Sequence, residues 1–412
     1  MMQEKSPVNS IFGTFRNNEA FLILCIQVAV LHIGQGLITP ILPFYAQTFA
    51  VSITWVGFLL TSQSLPRIFV NLPTGRYADR WGAHRMLMLA AVIVTISAVG
   101  GGLAPTYGIL LLTRLLQGIG TGISQTAGFT YAINVSTPDT RARFISLYQG
   151  SFLLGAGIGP AIGGFAAQYF GYRAPFFVYG LLAAFVGIWM YFRLPDPRRQ
   201  GSEAAKRDAR PTFIPSVMAM LSHPGVMVIS LVGMMSGFTR AASRNMAIPL
   251  RGNELGLSDG QIGMVLSVLF VMTFITLYLV GAFADRFGRK MLMVPSLLLA
   301  AAFLGAIALV PVAAGYALAA AAYGFAIGIA GPIAPAYIAD VADEASQGMA
   351  IGVFRTLSDS GMVIGPLVMG WVIDASSISS GLLLNAILIA IVALAFWMLT
   401  PNPQNIVQQV KV

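Results

Sequence analysis

Long apolar stretches, each of about 20 residues, restrict this sequence more than any other feature, because a helix of that length crosses a bilayer. Backbone polar groups inside a membrane must find partners within their own segment, so we expect helices rather than open strands. The sequence therefore predicts an all-α membrane protein with twelve transmembrane helices. The predicted spans are 20–45, 52–73, 86–105, 107–132, 145–169, 174–194, 225–250, 260–283, 290–310, 314–339, 350–374 and 380–400.

Charged residues are too scarce to cover a soluble protein of this size. Only 9% of the 412 residues are charged and 57% are hydrophobic, whereas soluble domains carry about 25% charged residues. The net charge of +9 does not indicate nucleic-acid binding, because the basic residues lie in short tracts between apolar stretches. Cys25 is the single cysteine, which excludes an intrachain disulfide and a cysteine-built metal site. We expect no cofactor and no metal, and a monomer whose partners are the bilayer and a small molecule.

The placement of lysine and arginine predicts the orientation of the spans. If the first span starts in the cytoplasm, 18 of the 24 lysines and arginines fall on the cytoplasmic side, and only Arg173 and Arg251 fall outside. Basic loops stay in the cytoplasm, so both termini are predicted to be cytoplasmic. The remaining four lie deeper in the spans: Arg67, Arg114, Arg240 and Arg244.

A polar segment at 195–224 divides the chain into two halves, 1–194 and 225–412. A constant offset of 206 residues superimposes many glycines, prolines and charged residues of the first half on identical residues of the second. Parallel repeats are a transporter architecture in which the substrate binds between the repeats. We therefore predict two pseudo-symmetric six-helix bundles joined by a cytoplasmic linker.

The connection between the second and third spans carries a motif that recurs between the eighth and ninth. The two copies are Gly75-Arg-Tyr-Ala-Asp79-Arg80-Trp-Gly82 and Gly281-Ala-Phe-Ala-Asp285-Arg286-Phe-Gly288-Arg289-Lys290. Both resemble the signature loop of the major facilitator superfamily, Gly-x-x-x-Asp-Arg-x-Gly-Arg-Lys, although Ala83 and His84 replace the basic pair in the first copy. The resemblance implies the major facilitator fold in the plasma (inner) membrane and a conformational latch. The latch residues are Gly75, Asp79, Arg80, Gly82, Gly281, Asp285, Arg286, Gly288 and Arg289.

The fifth span contains a glycine and proline pattern formed by Gly155, Gly159, Pro160, Gly163 and Gly164. It resembles the antiporter motif of drug–proton exporters in this superfamily, Gly-x-x-x-Gly-Pro-x-x-Gly-Gly. Glycines at this spacing let another helix approach closely, and the proline removes one helical hydrogen bond. The resemblance implies the twelve-helix drug:proton antiporter family. Helix packing without a role in transport direction is the other interpretation.

Polar residues in the first and fourth spans are candidates for proton coupling and for the substrate cavity. Arg114-Leu-Leu-Gln117-Gly resembles the Arg-x-x-Gln-Gly motif of the family, which implies a role for Arg114 in proton coupling, and Gln117 and Gln125 share a helix face with it. His32 and Gln35 share a face of the first span, and an unperturbed histidine titrates near neutral pH. An arginine that only joins helices and a histidine that is only hydrogen-bonded are the alternatives.

The seventh, tenth and eleventh spans hold the remaining candidates. Asp359 is the clearest embedded acid, and Arg355 precedes it by one helical turn. A carboxylate that changes partners suits a proton carrier, whereas a static Arg355–Asp359 pair is the other interpretation. The resemblance implies that the first, fourth, seventh and tenth spans line the cavity, so we place Arg240, Arg244 and Tyr323 there. Alternatively, Arg244 reaches outward to the membrane surface and Arg240 bonds a backbone carbonyl.

Two transport functions fit these features. The first is proton-coupled efflux of drugs or amphipathic metabolites by alternating access. The second is exchange of organic anions or phosphate esters, which the arginines of the seventh span favour. An enzyme is not expected, because the sequence lacks His-Glu-x-x-His, Gly-x-Ser-x-Gly and P-loop lysine motifs.

Overall fold

The structure is a computed structural model that describes residues 18–136, 140–195, 224–287, 289–341 and 347–400. Within these ranges the chain is all-α. Its helices are α1 (Glu19–Ile38), α2 (Leu42–Gln47), α3 (Ile53–Trp81), α4 (Ala83–Leu103), α5 (Tyr107–Asn134), α6 (Arg141–Phe170), α7 (Ala174–Arg193), α8 (Pro224–Thr239), α9 (Ile248–Glu254), α10 (Asp259–Phe287), α11 (Arg289–Leu309), α12 (Ala313–Val341), α13 (Gln347–Ala375) and α14 (Ile378–Leu399). A π-helical segment, Arg240–Ala247, joins α8 to α9.

In the described part of the chain, nine helices are long and apolar enough to cross a membrane: α1, α4, α6, α7 and α10 to α14. Helices α3 and α5 are equally long but carry more polar residues. The seventh predicted span is divided into short pieces by the π-helical segment. The prediction of an all-α membrane protein is therefore confirmed, and the number of twelve spans stays a prediction.

The first predicted span, 20–45, is not one continuous helix. Helix α1 ends at Ile38, a turn follows, and the short helix α2 begins at Leu42. The cause is the proline pair: Pro40 lacks the N–H that would continue the α1 ladder, and Pro43 lies in the first turn of α2, where a missing N–H is tolerated. The second predicted span, 52–73, is shorter than the observed helix, because α3 continues to Trp81 and includes Gly75.

The described residues form two compact units. The first unit contains the residues up to Leu37, those from Leu65 to Gly159 and those from Arg173 to 195. The second unit contains residues 38–64, 160–172 and those from 224 onward. Parts of α3 and α6 thus belong to the same unit as the C-terminal helices. The halves 1–194 and 225–412 stay a prediction, and residues 196–223 of the linker lie outside the described residues.

In the first unit, α4 packs against both α5 and α7 through glycines. A Cβ added at Gly120 of α5 would meet Val94 of α4, and one added at Gly101 would meet Phe176 of α7. Residues of α1, α4, α5, α6 and α7 build the buried apolar core of this unit. Lipid tails are as apolar as the helix surfaces, so helices in a membrane associate largely by close packing. Small residues allow this close approach.

The second unit repeats this arrangement, with α11 packed against α12 and α14. The repeat also appears in detail. Gly155 of α6 lies against the carbonyl of Ala29 in α1, and its counterpart at the 206-residue offset, Gly361 of α13, lies against the carbonyl of Met234 in α8. The internal repeat read from the sequence is therefore visible in the helix contacts within each unit.

Candidate functional site

Helix α5 presents the polar face that the sequence predicts, and its arginine is bonded within the same helix. Arg114 is only 1% exposed, and its Nη1 donates a hydrogen bond to Oε1 of Gln117. Tyr179 of α7 lies beside both residues. Gln125 is half-buried two turns further along α5. The structure therefore brings Arg114 and Gln117 together and shows why they share a face.

His32 of α1 lies in packed surroundings. Its Nδ1 donates to the carbonyl oxygen of Val28 over 2.7 Å, and its ring centroid is 4.0 Å from that of Phe152. Its side chain is 6% exposed. Gln35, one turn away, is half-buried. The geometry at His32 agrees with the alternative of a hydrogen-bonded, packed histidine.

The glycine motif of α6 faces two different neighbours. A Cβ at Gly155 or Gly159 would overlap the backbone of α1, whereas a Cβ at Gly164 would overlap the backbone of α10 at Asp259. Pro160 lies inside the helix between these two contacts, and Gly163 is buried. The motif is therefore a close-packing surface for two helices, one on each side of the proline.

The seventh span adopts π-helical geometry where its two arginines lie. Arg240 begins the π-helical segment and Arg244 follows within it. The guanidinium carbon of Arg244 lies 4.5 Å from the ring centre of Phe270, and both arginines are electrostatic neighbours of the buried Tyr323. Single π-helical turns recur at functional sites, because the extra residue redirects side chains. Both arginines are half-buried.

A buried polar trio fixes this segment, and the sequence analysis did not single it out. Thr239 Oγ1 donates to Oδ1 of Asn385 over 3.1 Å, and Nδ2 of Asn385 donates to Oγ of Ser243. All three residues are at most 1% exposed. Asn385 lies in the otherwise apolar span of α14, and a polar residue in such a span is a signal that a partner is nearby.

Asp359 lies within electrostatic range of Arg240 and forms no ion pair with Arg355. It is half-buried on α13 and is an electrostatic neighbour of Arg240, while Arg355 is exposed. Helices α8 and α13 meet closely here, since a Cβ at Gly237 would overlap the carbonyl of Ser358. Asp359 forms no ion pair with any described residue. The arrangement places one carboxylate and two guanidinium groups in one region of the second unit.

The latch residues are only partly described. Arg80 is exposed near the end of α3, and Gly82 has φ 102°, a left-handed conformation that makes the α3–α4 turn and favours glycine. Arg289 is half-buried at the first position of α11. Gly75, Asp79, Gly281, Asp285 and Arg286 lie in helices, but their side-chain surroundings are outside the described part, as is Gly288 entirely. The latch therefore stays a prediction.

Among the described residues, no group of three His, Cys, Asp or Glu side chains is arranged to hold a metal ion. The polar groups described above are guanidinium, carboxylate, amide and hydroxyl groups. Their chemistry suits recognition of a solute and movement of a proton.

Known proteins similar to this chain are membrane transporters. Multidrug resistance protein 2 of Bacillus subtilis is 24% identical over 86% of this chain and 88% of its own length. The hexuronate transporter of the same organism is 24% identical, over 89% of this chain and 90% of its own. A crystal structure of a bacterial homologue of the human lysosomal transporter Spinster, inward-facing and unoccupied, superimposes with a TM-score of 0.77 at 17% identity, over 92% of this chain and 96% of that one.

The sequence profile of the Major Facilitator Superfamily matches residues 24–243 and again 229–410. These two matches cover most of the chain, and they agree with the helical fold and the internal repeat. The similarity to multidrug resistance proteins agrees with the drug:proton antiporter resemblance of the motifs. The chain is a multi-pass protein of the plasma membrane that transports solutes and is not an enzyme. It belongs to the major facilitator superfamily.

Proposed function

We propose that this protein exports drugs or amphipathic metabolites in exchange for protons, by alternating access. In this proposal twelve spans form two six-helix halves, both termini are cytoplasmic, and the protein works as a monomer. The similarity to Multidrug resistance protein 2 and the glycine–proline motif of α6 support the direction of transport. The observation that carries proton coupling is the position of Asp359.

Asp359 suits a proton carrier for a physical reason. It is half-buried, it has no ion pair with a described residue, and Arg240 lies within electrostatic range. A carboxylate in this setting gains or loses a proton without first breaking a salt bridge, and each protonation changes the field at Arg240. Arg114 and His32 are the other candidates that the sequence offers for the proton path, but their hydrogen bonds to Gln117 and Val28 favour packing roles, so the proposal rests on Asp359.

The test is accumulation of a fluorescent cationic dye such as ethidium in everted membrane vesicles. A proton gradient should drive uptake, and an uncoupler should abolish it. Asp359→Asn should reduce gradient-driven uptake about tenfold or more, the equivalent of about 1.4 kcal/mol. Arg355→Gln is the matched control, because Arg355 is exposed one turn away on the same helix. Uptake that persists with the uncoupler would contradict proton coupling.

The predicted topology has its own test. Single cysteines in the connections of a Cys25→Ala protein should react with a membrane-impermeant thiol reagent in intact cells only where a connection is external. We expect reaction at Ser52 and Ser377 and none at Arg85, which is exposed in the connection predicted to be cytoplasmic. An external C-terminal tag would contradict the twelve-span arrangement.

Exchange of organic anions is the second candidate, and the π-helical segment favours it. Arg240 and Arg244 lie together beside Tyr323 without an ion pair to a described residue, and two guanidinium groups in a poorly hydrated region attract an anion. The similarity to a hexuronate transporter agrees with this candidate. A thermal-shift screen of purified protein at two pH values, with glucuronate and with ethidium, separates the two. Stabilisation by glucuronate that Arg240→Gln removes would support the anion, and stabilisation by ethidium alone would support the drug.

A further inference from the structure

The start of α3 is locked against the end of α13 within the second unit. A Cβ at Gly57 would overlap the carbonyl of Pro366, and a Cβ at Gly370 would overlap the backbone at Ile53. Thr61 Oγ1 also donates to the carbonyl of Val363 over 2.8 Å. These contacts leave no space between the two helices at this end.

The start of α10 and the end of α6 meet in an equivalent way. Gly263 lies against the carbonyl of Pro160, and Gly164 lies against the carbonyl of Asp259. Ser267 Oγ accepts from the backbone N–H of Ala161 over 3.0 Å. By the 206-residue offset, the Gly263–Pro160 contact maps on Gly57–Pro366 and the Gly164–Asp259 contact maps on Gly370–Ile53, whereas Gly260 maps on Thr54. The two contacts are therefore copies related by the internal repeat.

The two copies differ in their caps. In the α3–α13 copy, Asp374 accepts three hydrogen bonds from the first residues of α3: the N–H of Ile53 at 3.0 Å, the N–H of Thr54 at 2.8 Å and the Thr54 hydroxyl at 2.6 Å. In the α6–α10 copy, the equivalent residue is Gln168, whose Oε1 accepts one bond from the N–H of Gly260 at 3.1 Å. Bonds to an ionised carboxylate are roughly twice as strong as neutral ones.

The position of Asp374 in its own helix indicates a role toward α3. It is the residue before Ala375, where α13 ends. A carboxylate is disfavoured at a helix C-terminus, where the dipole is negative, and favoured at a helix N-terminus. Asp374 is therefore stabilised by α3 and not by α13. Separation of the two helices would leave its negative charge at the C-terminus of α13, where the helix dipole is also negative.

We propose that Asp374 is a gating residue that holds this end of the transporter closed, and that its three bonds to α3 break each time this end opens. Gln168 is the weaker counterpart on the repeat-related contact. The proposal goes beyond proton coupling and substrate class, and it rests only on the alternating access of the proposed function.

The test uses a cysteine at position 61 as a reporter of separation between α3 and α13. Thr61 is 6% exposed and contacts α13, so a thiol there reacts only when the helices part. The protein is Cys25→Ala/Thr61→Cys in lipid nanodiscs, and the measurement is its rate of reaction with a small charged maleimide. Asp374→Asn should raise the rate on the order of fivefold, as expected for loss of a good N-terminal cap. Thr54→Val, which removes one bond, should raise it by about twofold, and Gln168→Ala by less than that.

Each outcome decides the proposal. Unchanged labelling in Asp374→Asn, or an equal increase in Gln168→Ala, would overturn it. If Asp374→Asn does not fold, as judged by its size-exclusion profile, Thr54→Val gives the answer by the same rate. Transport by the reporter protein in proteoliposomes is measured alongside. If the reporter protein transports but Asp374→Asn leaves its labelling rate unchanged, only the gating role of Asp374 is contradicted. If the unsubstituted protein does not transport, the proposed function is contradicted.

Discussion

Each of the two units contains buried or half-buried arginine, and the partners of the guanidinium groups differ between the units. In the first unit Arg114 is almost fully buried and bonds Gln117 on its own helix. In the second unit Arg240 and Arg244 are half-buried, and neither pairs with an acid among the described residues. Arg244 donates to Oδ1 of Asn245 over 3.5 Å and lies over the Phe270 ring, and Arg240 is an electrostatic neighbour of Asp359 and Tyr323.

The difference teaches how one duplicated fold acquires two roles. A hydrogen-bonded arginine in the first unit contributes to helix packing, because its polar group has a fixed partner. Two half-buried guanidinium groups that form no ion pair with a described acid cost free energy unless a ligand or the neighbouring Asp359 offsets their charge. Local departures from a stable arrangement are expected at functional sites. We therefore propose that residues of the second unit contribute to solute recognition.

The largest expected effect is on stability and concerns the first unit. Arg114→Met removes the donor to Gln117 and leaves a buried amide oxygen unsatisfied, which should lower the free energy of unfolding by about 1–3 kcal/mol. The thermal midpoint of the purified protein measures the change, with Arg355→Met as the exposed control. If the midpoint of Arg114→Met equals that of the control, Arg114 does not stabilise the fold, and the difference between the two units is contradicted.

The opposite pattern is expected in the second unit. Arg240→Gln removes a guanidinium group that forms no ion pair with a described acid, so the thermal midpoint should fall less than in Arg114→Met, while transport falls about tenfold, or by about 1.4 kcal/mol in rate. Transport in proteoliposomes and the thermal midpoint are measured on the same preparation. Arg251→Gln is the matched control, because Arg251 already pairs with Glu254 at 2.9 Å. Retained transport in Arg240→Gln would remove this residue from the site.

The polar trio around the π-helical segment gives a smaller effect. Ser243→Ala removes the hydroxyl that accepts from Asn385 and should cost about 0.5–1.5 kcal/mol of stability. Ser236→Ala on α8, at a half-buried position, is the control. Thermal unfolding measures both. A larger loss of transport than of stability in Ser243→Ala would sharpen the comparison, because it would tie the π-helical geometry directly to function.

The smallest effect is expected at His32. His32→Gln should change transport by less than about twofold and leave the pH profile of transport in place, because a packed histidine bonded to a backbone carbonyl does not exchange protons. Initial rates across a pH series measure this. A pH profile shifted in His32→Gln and unshifted in Asp359→Asn would reverse the assignment of the proton carrier.

The sequence predicts the helices well because long apolar stretches have one stable form in a bilayer. It also predicts the repeat and the Arg114–Gln117 face, but it pairs Asp359 with Arg355 and does not predict that Asp359 lies within electrostatic range of Arg240. It does not predict that the first helix ends after Ile38. Pro40 and Pro43 signal a break, but membrane helices often tolerate proline, so the prolines alone do not establish a helix end. The first predicted span was wrong in this respect.

Other features depend on side-chain direction and packing, which sequence spacing does not determine. Arg355 and Asp359 are one turn apart, yet Arg355 is exposed, whereas Asp359 is half-buried and within electrostatic range of Arg240. The bond of Asp374 to Thr54 joins residues 320 positions apart, and only the folded unit brings them together. The π-helical segment at Arg240 is accompanied by hydrogen bonds of Thr239 and Ser243 to Asn385 on another helix, a contact that sequence spacing does not predict.

Substrate-induced proton movement tests the central claim most directly. Purified protein is reconstituted in proteoliposomes that enclose a pH-sensitive dye, and an outward gradient of ethidium is imposed without any initial pH difference. Proton-coupled exchange predicts that the internal pH falls as ethidium leaves, and that Asp359→Asn abolishes the fall. Ethidium efflux with no change of internal pH, or an equal change in Asp359→Asn, would contradict the account.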